Sequence, residues 1–244
     1  MFTPHTDEDR SRMLRSIGVQ SFEDLLDDLP HEVRLTRPLN LPQPLSEPEA
    51  RRHLADLASA NLDPGKWISF LGGGAYDHYI PSIIDHIVGR SEFYTAYTPY
   101  QAEISQGTLQ TIFEFQSLIT RLTGVEIANA SLYDCASAIA EAVLMANRIN
   151  RRKTVVVSGC MHPHRLRVLR TYLRSSGFEI KVTSWQSGTT QVQEIDDLAG
   201  DDTSCVVVEN PNFFGSIESM APIADVTHSK GALLIVSVDP VSLG

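Results

Sequence analysis

The chain reads as an α/β protein: a parallel sheet covered by helices on both faces, preceded by a helical segment. Three observations predict this. From residue 125 onward, short apolar runs alternate with helix-period stretches, joined by links of a few residues. Runs such as VVVS and LLIVSV are apolar without alternation, the pattern of a strand buried on both faces. Before residue 60 only helical and proline-rich patterns occur.

In chain order, residues 6–29 read as two short helices broken at Gly18, with Leu14, Ile17, Phe22, Leu25, Leu26 and Leu29 as apolar faces. Ser21 is placed to cap the second, with Asp24 three residues on. Residues 35–48, LTRPLNLPQPLSEP, hold four prolines and are an extended connector. Ser46 and Glu49 form a capping box opening a helix to about Ala60. A long helix is expected from Ser105 to Leu122, where Leu109, Ile112, Phe113, Gln116, Ile119 and Leu122 recur at spacings of three and four, with Gly124 as its stop. Then follow VEIANAS as a strand, Ala136–Asn150 as a helix, KTVVVSG as a strand and His162–Ser175 as a helix closed by Gly177. FEIKVTSW reads as a strand, Val192–Leu198 as a short helix, SCVVVEN as a strand, Met220–Ser229 as a helix closed by Gly231, and ALLIVSVD as a strand. The domain boundary falls near residue 65: 1–65 as helices and connector, 66–244 as the α/β domain.

Composition narrows the function. A net charge of −10 argues against nucleic acid and anionic membrane as partners. No apolar run is long enough to span a bilayer, and the acidic N-terminus has no apolar signal core, so a cytoplasmic location is expected. Three widely spaced cysteines, Cys135, Cys160 and Cys205, are neither a disulfide framework nor a zinc site. Asp77, His78, Asp85 and His86 do not have metal-ligand spacing, and no metal is expected. Gly72-Gly73-Gly74 lacks the rest of a P-loop.

The run from Phe70 to Gly107 is rich in glycine and tyrosine and poor in charge, the composition of a cavity wall. Three further features sit at the carboxyl ends of expected strands, where open α/β sheets place ligands. The loop 130–142, with Ser131, Asp134 and Ser137, either receives an anion at a helix start or is an ordinary cap. His162 either stacks on a flat ligand or caps a helix. Asp239 either pairs with a protonated ring nitrogen or is a turn aspartate beside Pro240. Together they point to pyridoxal phosphate, but the Schiff-base lysine is missing. Lys66, Lys153, Lys181 and Lys230 are the only lysines, and none is expected at that edge.

AYDHYIPSIIDHI, SEFYTAYTPYQAEISQGTLQTIFEFQ, VEIANASLYD and ASAIAEAVLMANR resemble the glycine decarboxylase (P-protein) family of the glycine cleavage system, and within it subunit 1 (alpha) of the two-subunit bacterial form. The resemblance runs along the whole chain. It implies an incomplete, three-layer fold-type I (aspartate aminotransferase-like) domain, in a protein continuing for about as long again. It implies decarboxylation of glycine and transfer of the aminomethyl group to the lipoyl arm of H-protein, with the cofactor lysine on a partner beta subunit (subunit 2). No catalytic residue is then expected in this chain. Tyr97, Thr98, Pro99, Tyr100, Gln101, Glu103, Ser105 and Gln106 would line the active site or channel formed with beta. Ser131, Asp134, Ser137, His162 and Asp239 would occupy the positions that bind cofactor in the lysine-bearing half. Cys135 stands where the family pattern has glycine and crowds the backbone a phosphate must approach, which argues against cofactor binding by this chain. The other class of reading is a truncated, non-catalytic scaffold of the same family.

Overall fold

The computed structural model describes residues 4–63, 65–68, 70 and 72–243. It divides into two compact units, Met1–Trp67 and Ile68–Gly244.

In the first unit α1 (Asp7–Ile17) starts at a capping box. The Thr6 amide donates to Asp9 Oδ2 and the Asp9 amide to Thr6 Oγ1, at 3.0 and 3.2 Å. It ends on left-handed Gly18. The second helix expected before residue 29 is only a tight turn, Glu23–Leu26. Ser21 and Asp24 do bond each other as a cap. Extension is opposed by Asp27 and Asp28 at what would be the negative end of the helix dipole, and by Pro30, which disfavours helical backbone at Leu29. After a connector without helix or strand, α2 (Glu47–Ser59) begins with the Ser46 amide on Glu49, 2.8 Å away.

The second unit opens with two short helices, α3 (Ile83–Val88) and α4 (Ser91–Tyr94), then α5 (Gln106–Thr123) and α6 (Cys135–Asn150). The strand expected at VEIANAS is absent. Residues 125–131 form a loop in which Gln116 Nε2 donates to the Ala128 carbonyl and Ser131 has φ +90°. A residue in that conformation breaks the pleat. The alternating unit follows: β1 (Thr154–Val157), α7 (Pro163–Leu173), β2 (Glu179–Val182), a hairpin of β3 (Trp185–Gln186) and β4 (Thr189–Thr190), α8 (Val192–Leu198), β5 (Thr203–Asn210), α9 (Met220–Ser229) and β6 (Leu233–Val238). The expected strand FEIKVTSW thus stops at Val182. Ser187 and Gly188 both take positive φ, which turns Trp185 back onto Thr190.

The four main strands are parallel, in the order β2-β1-β5-β6. β1 and β5 are buried throughout and β6 only partly. Successive residues of the central strands feed opposite layers. Val155, Val157, Cys205 and Val207 pack with Ile139, Val143, Leu169 and Leu173 of α6 and α7. Val156, Val206 and Val208 pack with Ile195 of α8 and Ile223 of α9. This period-two split makes the three layers. From β1 the chain moves outward to β2, then returns past β1 to β5. The topological switch therefore lies between the carboxyl ends of β1 and β5.

Candidate functional site

The apolar run of β5 ends in a carboxylate, Glu209, which is 2% exposed. A buried carboxylate needs donors, and two reach it from beyond β1. The His162 backbone N–H donates to Oε2 and Arg165 Nη1 to Oε1, each at 3.0 Å. Arg165 also approaches Ser237 Oγ of β6 at 3.4 Å, and Ser237 Oγ meets Cys135 Sγ, the first residue of α6, at 3.1 Å. One network, Cys135–Ser237–Arg165–Glu209–His162, thus links the starts of α6 and α7 to the ends of β5 and β6.

His162 caps α7. Its Nδ1 accepts the His164 amide at 3.1 Å, and its ring meets Phe213 edge-on with centroids 5.1 Å apart. Across the edge lies the arm that opens with Gly72, Gly73 and Gly74, all at positive φ (+65, +76 and +77°). Side chains rarely adopt three such conformations in succession, and glycine does so freely. The arm is tied down where the Gly73 amide donates to the Phe213 carbonyl at 3.3 Å. A Cβ on Gly74 would lie 3.8 Å from Arg165 Nη2 and 3.9 Å from the His162 ring. The arm then delivers His78, whose Nε2 lies 2.9 Å from Asp239 Oδ2, while Asp239 Oδ1 accepts the Val241 amide at 2.9 Å. Tyr76, His78, Pro211, Ile217, Asp239 and Val241 border a cavity of about 350 Å³.

The fold therefore gathers His162, Asp239 and the start of α6 at one edge. Asp134 caps α6, accepting the Ser137 amide at 2.7 Å, and that bond holds its carboxyl below the usual range. The Ser131 amide donates to Asn129 Oδ1. The tyrosine stretch is elsewhere. Tyr97 and Tyr100 are 81% and 80% exposed, with ring centroids 6.2 Å apart. Thr98, Gln101, Glu103 and Gln106 are exposed and Pro99 half-buried. Ser105 stands at the N-cap position of α5 without a side-chain capping bond and borders a separate cavity of about 400 Å³ with Phe93, Ala96 and Ile104. None of these residues borders the cavity at Asp239.

Glu209, Arg165 and Ser237 are not picked out by the sequence, and His78 only as part of the Phe70–Gly107 run and of a rejected metal set. Glu209 had a readable signal: an acid ending an apolar strand, the same signal that singles out Asp239. The other three act through tertiary contacts alone.

The residues present do not fit pyridoxal phosphate. The carboxylate suited to a ring nitrogen is already paired with His78, and Cys135 puts a side chain at the helix start a phosphate would approach. Among the described residues of the second unit no lysine bonds at the edge. Lys153 Nζ donates to the Ser176 carbonyl and Lys181 Nζ to the Leu198 carbonyl. Lys230 pairs with Asp196, and Lys66, in the first unit, pairs with Asp63.

Comparison with known proteins places this geometry in context. The family model for the glycine cleavage system P-protein matches residues 1–244. A protein of Desulforamulus reducens named "Probable glycine dehydrogenase (decarboxylating) subunit 1" is 52% identical over 243 residues, covering 100% of this chain and 54% of the relative. A protein of the same name from Chlorobium chlorochromatii is 50% identical over 244 residues, covering 100% and 55%. A crystal structure of glycine decarboxylase (P-protein) of the glycine cleavage system, in inhibitor-bound form, superposes with a TM-score of 0.77 at 45% identity, covering 100% of this chain and 54% of that one. A sphingosine-1-phosphate lyase of Burkholderia pseudomallei matches at TM-score 0.55 and 17% identity, covering 85% of this chain and 51% of that one, a likeness of fold alone. The chain spans about half the length of the curated relatives it matches. Its fold is the fold-type I α/β architecture that the resemblance implied, incomplete relative to those proteins.

Proposed function

The chain belongs to the glycine cleavage system P-protein family, and on that premise we propose that it is part of subunit 1 of a two-subunit glycine decarboxylase. In this reading the assembled enzyme decarboxylates glycine in the cytoplasm and passes the aminomethyl group to the lipoyl group of H-protein. The pyridoxal phosphate and its lysine belong to subunit 2, and this subunit is inactive without it. One observation carries the reading: the carboxyl edge here satisfies its own charges and receives no lysine, while the aromatic Tyr97–Gln106 stretch stands open to solvent.

Large aromatic side chains left exposed beside polar groups have the composition of a pocket wall completed by another chain. In the assembled pocket, Tyr97 and Tyr100 would wall the chamber and exclude water. Thr98, Gln101, Glu103, Ser105 and Gln106 would supply donors and acceptors for the glycine carboxylate or the lipoyl path. Ser131, Asp134, Ser137, His162 and Asp239 would keep the adjoining edge rigid. The competing reading, a non-catalytic scaffold of the same family, is favoured by the same self-paired edge.

The full-length subunit co-expressed with subunit 2 decides between them by exchange of bicarbonate with the glycine carboxyl in the presence of lipoylated H-protein. Exchange by the pair and none by either subunit alone is expected. Tyr97→Ala and Tyr100→Ala are expected to lower kcat/KM by about tenfold or more, a change in barrier of about 1.4 kcal/mol, with assembly retained on gel filtration. A pair that assembles but exchanges nothing leaves the scaffold reading standing and ends ours.

A further inference from the structure

His78 lies on the residue best suited to hold a coenzyme ring nitrogen, and it comes from outside the sheet. We infer that His78 is a built-in hydrogen-bond partner of Asp239 that stands where the ring would and keeps this edge closed to pyridoxal phosphate. The inference rests on the reading that the coenzyme is anchored on another subunit, and it names the device that enforces this.

Asp239 follows β6 at the carboxyl edge, with its side chain 16% exposed. A carboxylate placed there stabilises a protonated pyridine by a short charge-assisted hydrogen bond. The same geometry serves a protonated or Nε2-H imidazole, and His78 supplies it at 2.9 Å. The other Asp239 oxygen is held by the Val241 amide. A ring nitrogen would have to displace His78, losing that bond and loosening the arm beyond its Gly73 anchor.

The arm is built to make the contact. Three left-handed glycines turn it over the sheet edge, and the Gly73 amide anchors it on the Phe213 carbonyl. Tyr76 and His78 then wall the cavity beside Asp239. The other attachment points are also taken. Cys135 Sγ meets Ser237 at the helix start, and Arg165, which also approaches Ser237, is committed to buried Glu209. Three groups that could hold a phosphopyridine are each bound to a neighbour within the same unit.

The test uses the full-length subunit alone and pyridoxine phosphate, which has the ring and phosphate but no aldehyde, so surface lysines cannot trap it. Binding is read as induced circular dichroism in the ligand's absorption band and by equilibrium dialysis. The unaltered chain is expected to show no induced signal. The double variant His78→Ala/Cys135→Gly is expected to show one, with affinity raised about tenfold or more. A signal from the unaltered chain overturns the inference, as does a folded double variant that binds no better. Should that variant not fold, His78→Ala decides by hydrogen exchange. The Gly73 amide is expected to exchange about tenfold faster as the arm loosens, and an unchanged rate overturns the inference. None of these outcomes involves subunit 2, so failure here leaves the exchange assay to judge the subunit reading separately.

Discussion

Removing the Glu209 carboxylate is the sharpest test of how the edge is held together. Glu209→Ala leaves the His162 amide without its acceptor and Arg165 without its counter-ion. Breaking a fully buried ion pair on one side costs about 3–5 kcal/mol. Here the Arg165 side chain keeps 26% of its exposure while Glu209 has 2%. Water can therefore take over part of the guanidinium's hydrogen bonding, and the expected cost falls to about 2–3 kcal/mol. With a urea m-value on the order of 1–3 kcal/mol/M, the midpoint drops by about 0.7–3 M at unchanged m. Because the chain has two compact units, the transition is followed through Trp185 in a Trp67→Phe background, which reports on the second unit. The pair also predicts non-additivity. The double variant Glu209→Leu/Arg165→Leu removes both charges and is expected to cost about 1–3 kcal/mol less than the sum of the single changes. A Glu209→Ala cost below about 1 kcal/mol, or coupling within about 0.5 kcal/mol of zero, would refute the claim that this pair organises the edge.

Two further outcomes are expected. A Cβ on Gly159 would lie 2.2 Å from the Thr183 carbonyl oxygen, a backbone atom, so Gly159→Ala must push β1 and β2 apart. It is expected to lower stability by about 2–3 kcal/mol, while Gly200→Ala, with nothing within 4 Å of its Cβ, stays within about 0.5 kcal/mol of the parent in the same urea titration. Cys160 and Cys205 are buried, and burial pushes the Cys205 thiol up to about 12 and raises that of Cys160, whereas Cys135 is exposed. Native alkylation followed by peptide mapping should therefore label Cys135 alone, with the other two reacting only after denaturation. Early labelling of Cys205 would contradict the packing of β5.

The strands and the helices around them were legible because their signals are local. VVV and LLIVSV are apolar on both faces, and glycines such as Gly124 and Gly231 stop helices without reference to the rest of the chain. The misreadings fell where local and non-local terms compete. VEIANAS has strand composition, but a strand exists only with a partner to bond, and Ser131 turns away. FEIKVTSW continues past Val182 in composition, yet Ser187-Gly188 folds its end into a hairpin. Residues 21–29 have a cap and an apolar face, but two aspartates and a proline stop the helix after one turn.

The linear order of residues was enough to establish that a parallel sheet would form and that His162 and Asp239 would meet at its carboxyl edge, because strand direction places whatever follows each strand on the same side; the start of α6 reaches that edge without the strand expected before it. Residue order could not establish what those groups bond. That Asp239 meets His78, 161 residues away, and that Glu209 meets Arg165, 44 residues away, depends on where the glycine arm crosses the sheet and where α7 packs. Charges buried in an apolar edge must find partners wherever the packing brings donors within reach, and that distance is a property of the folded chain alone.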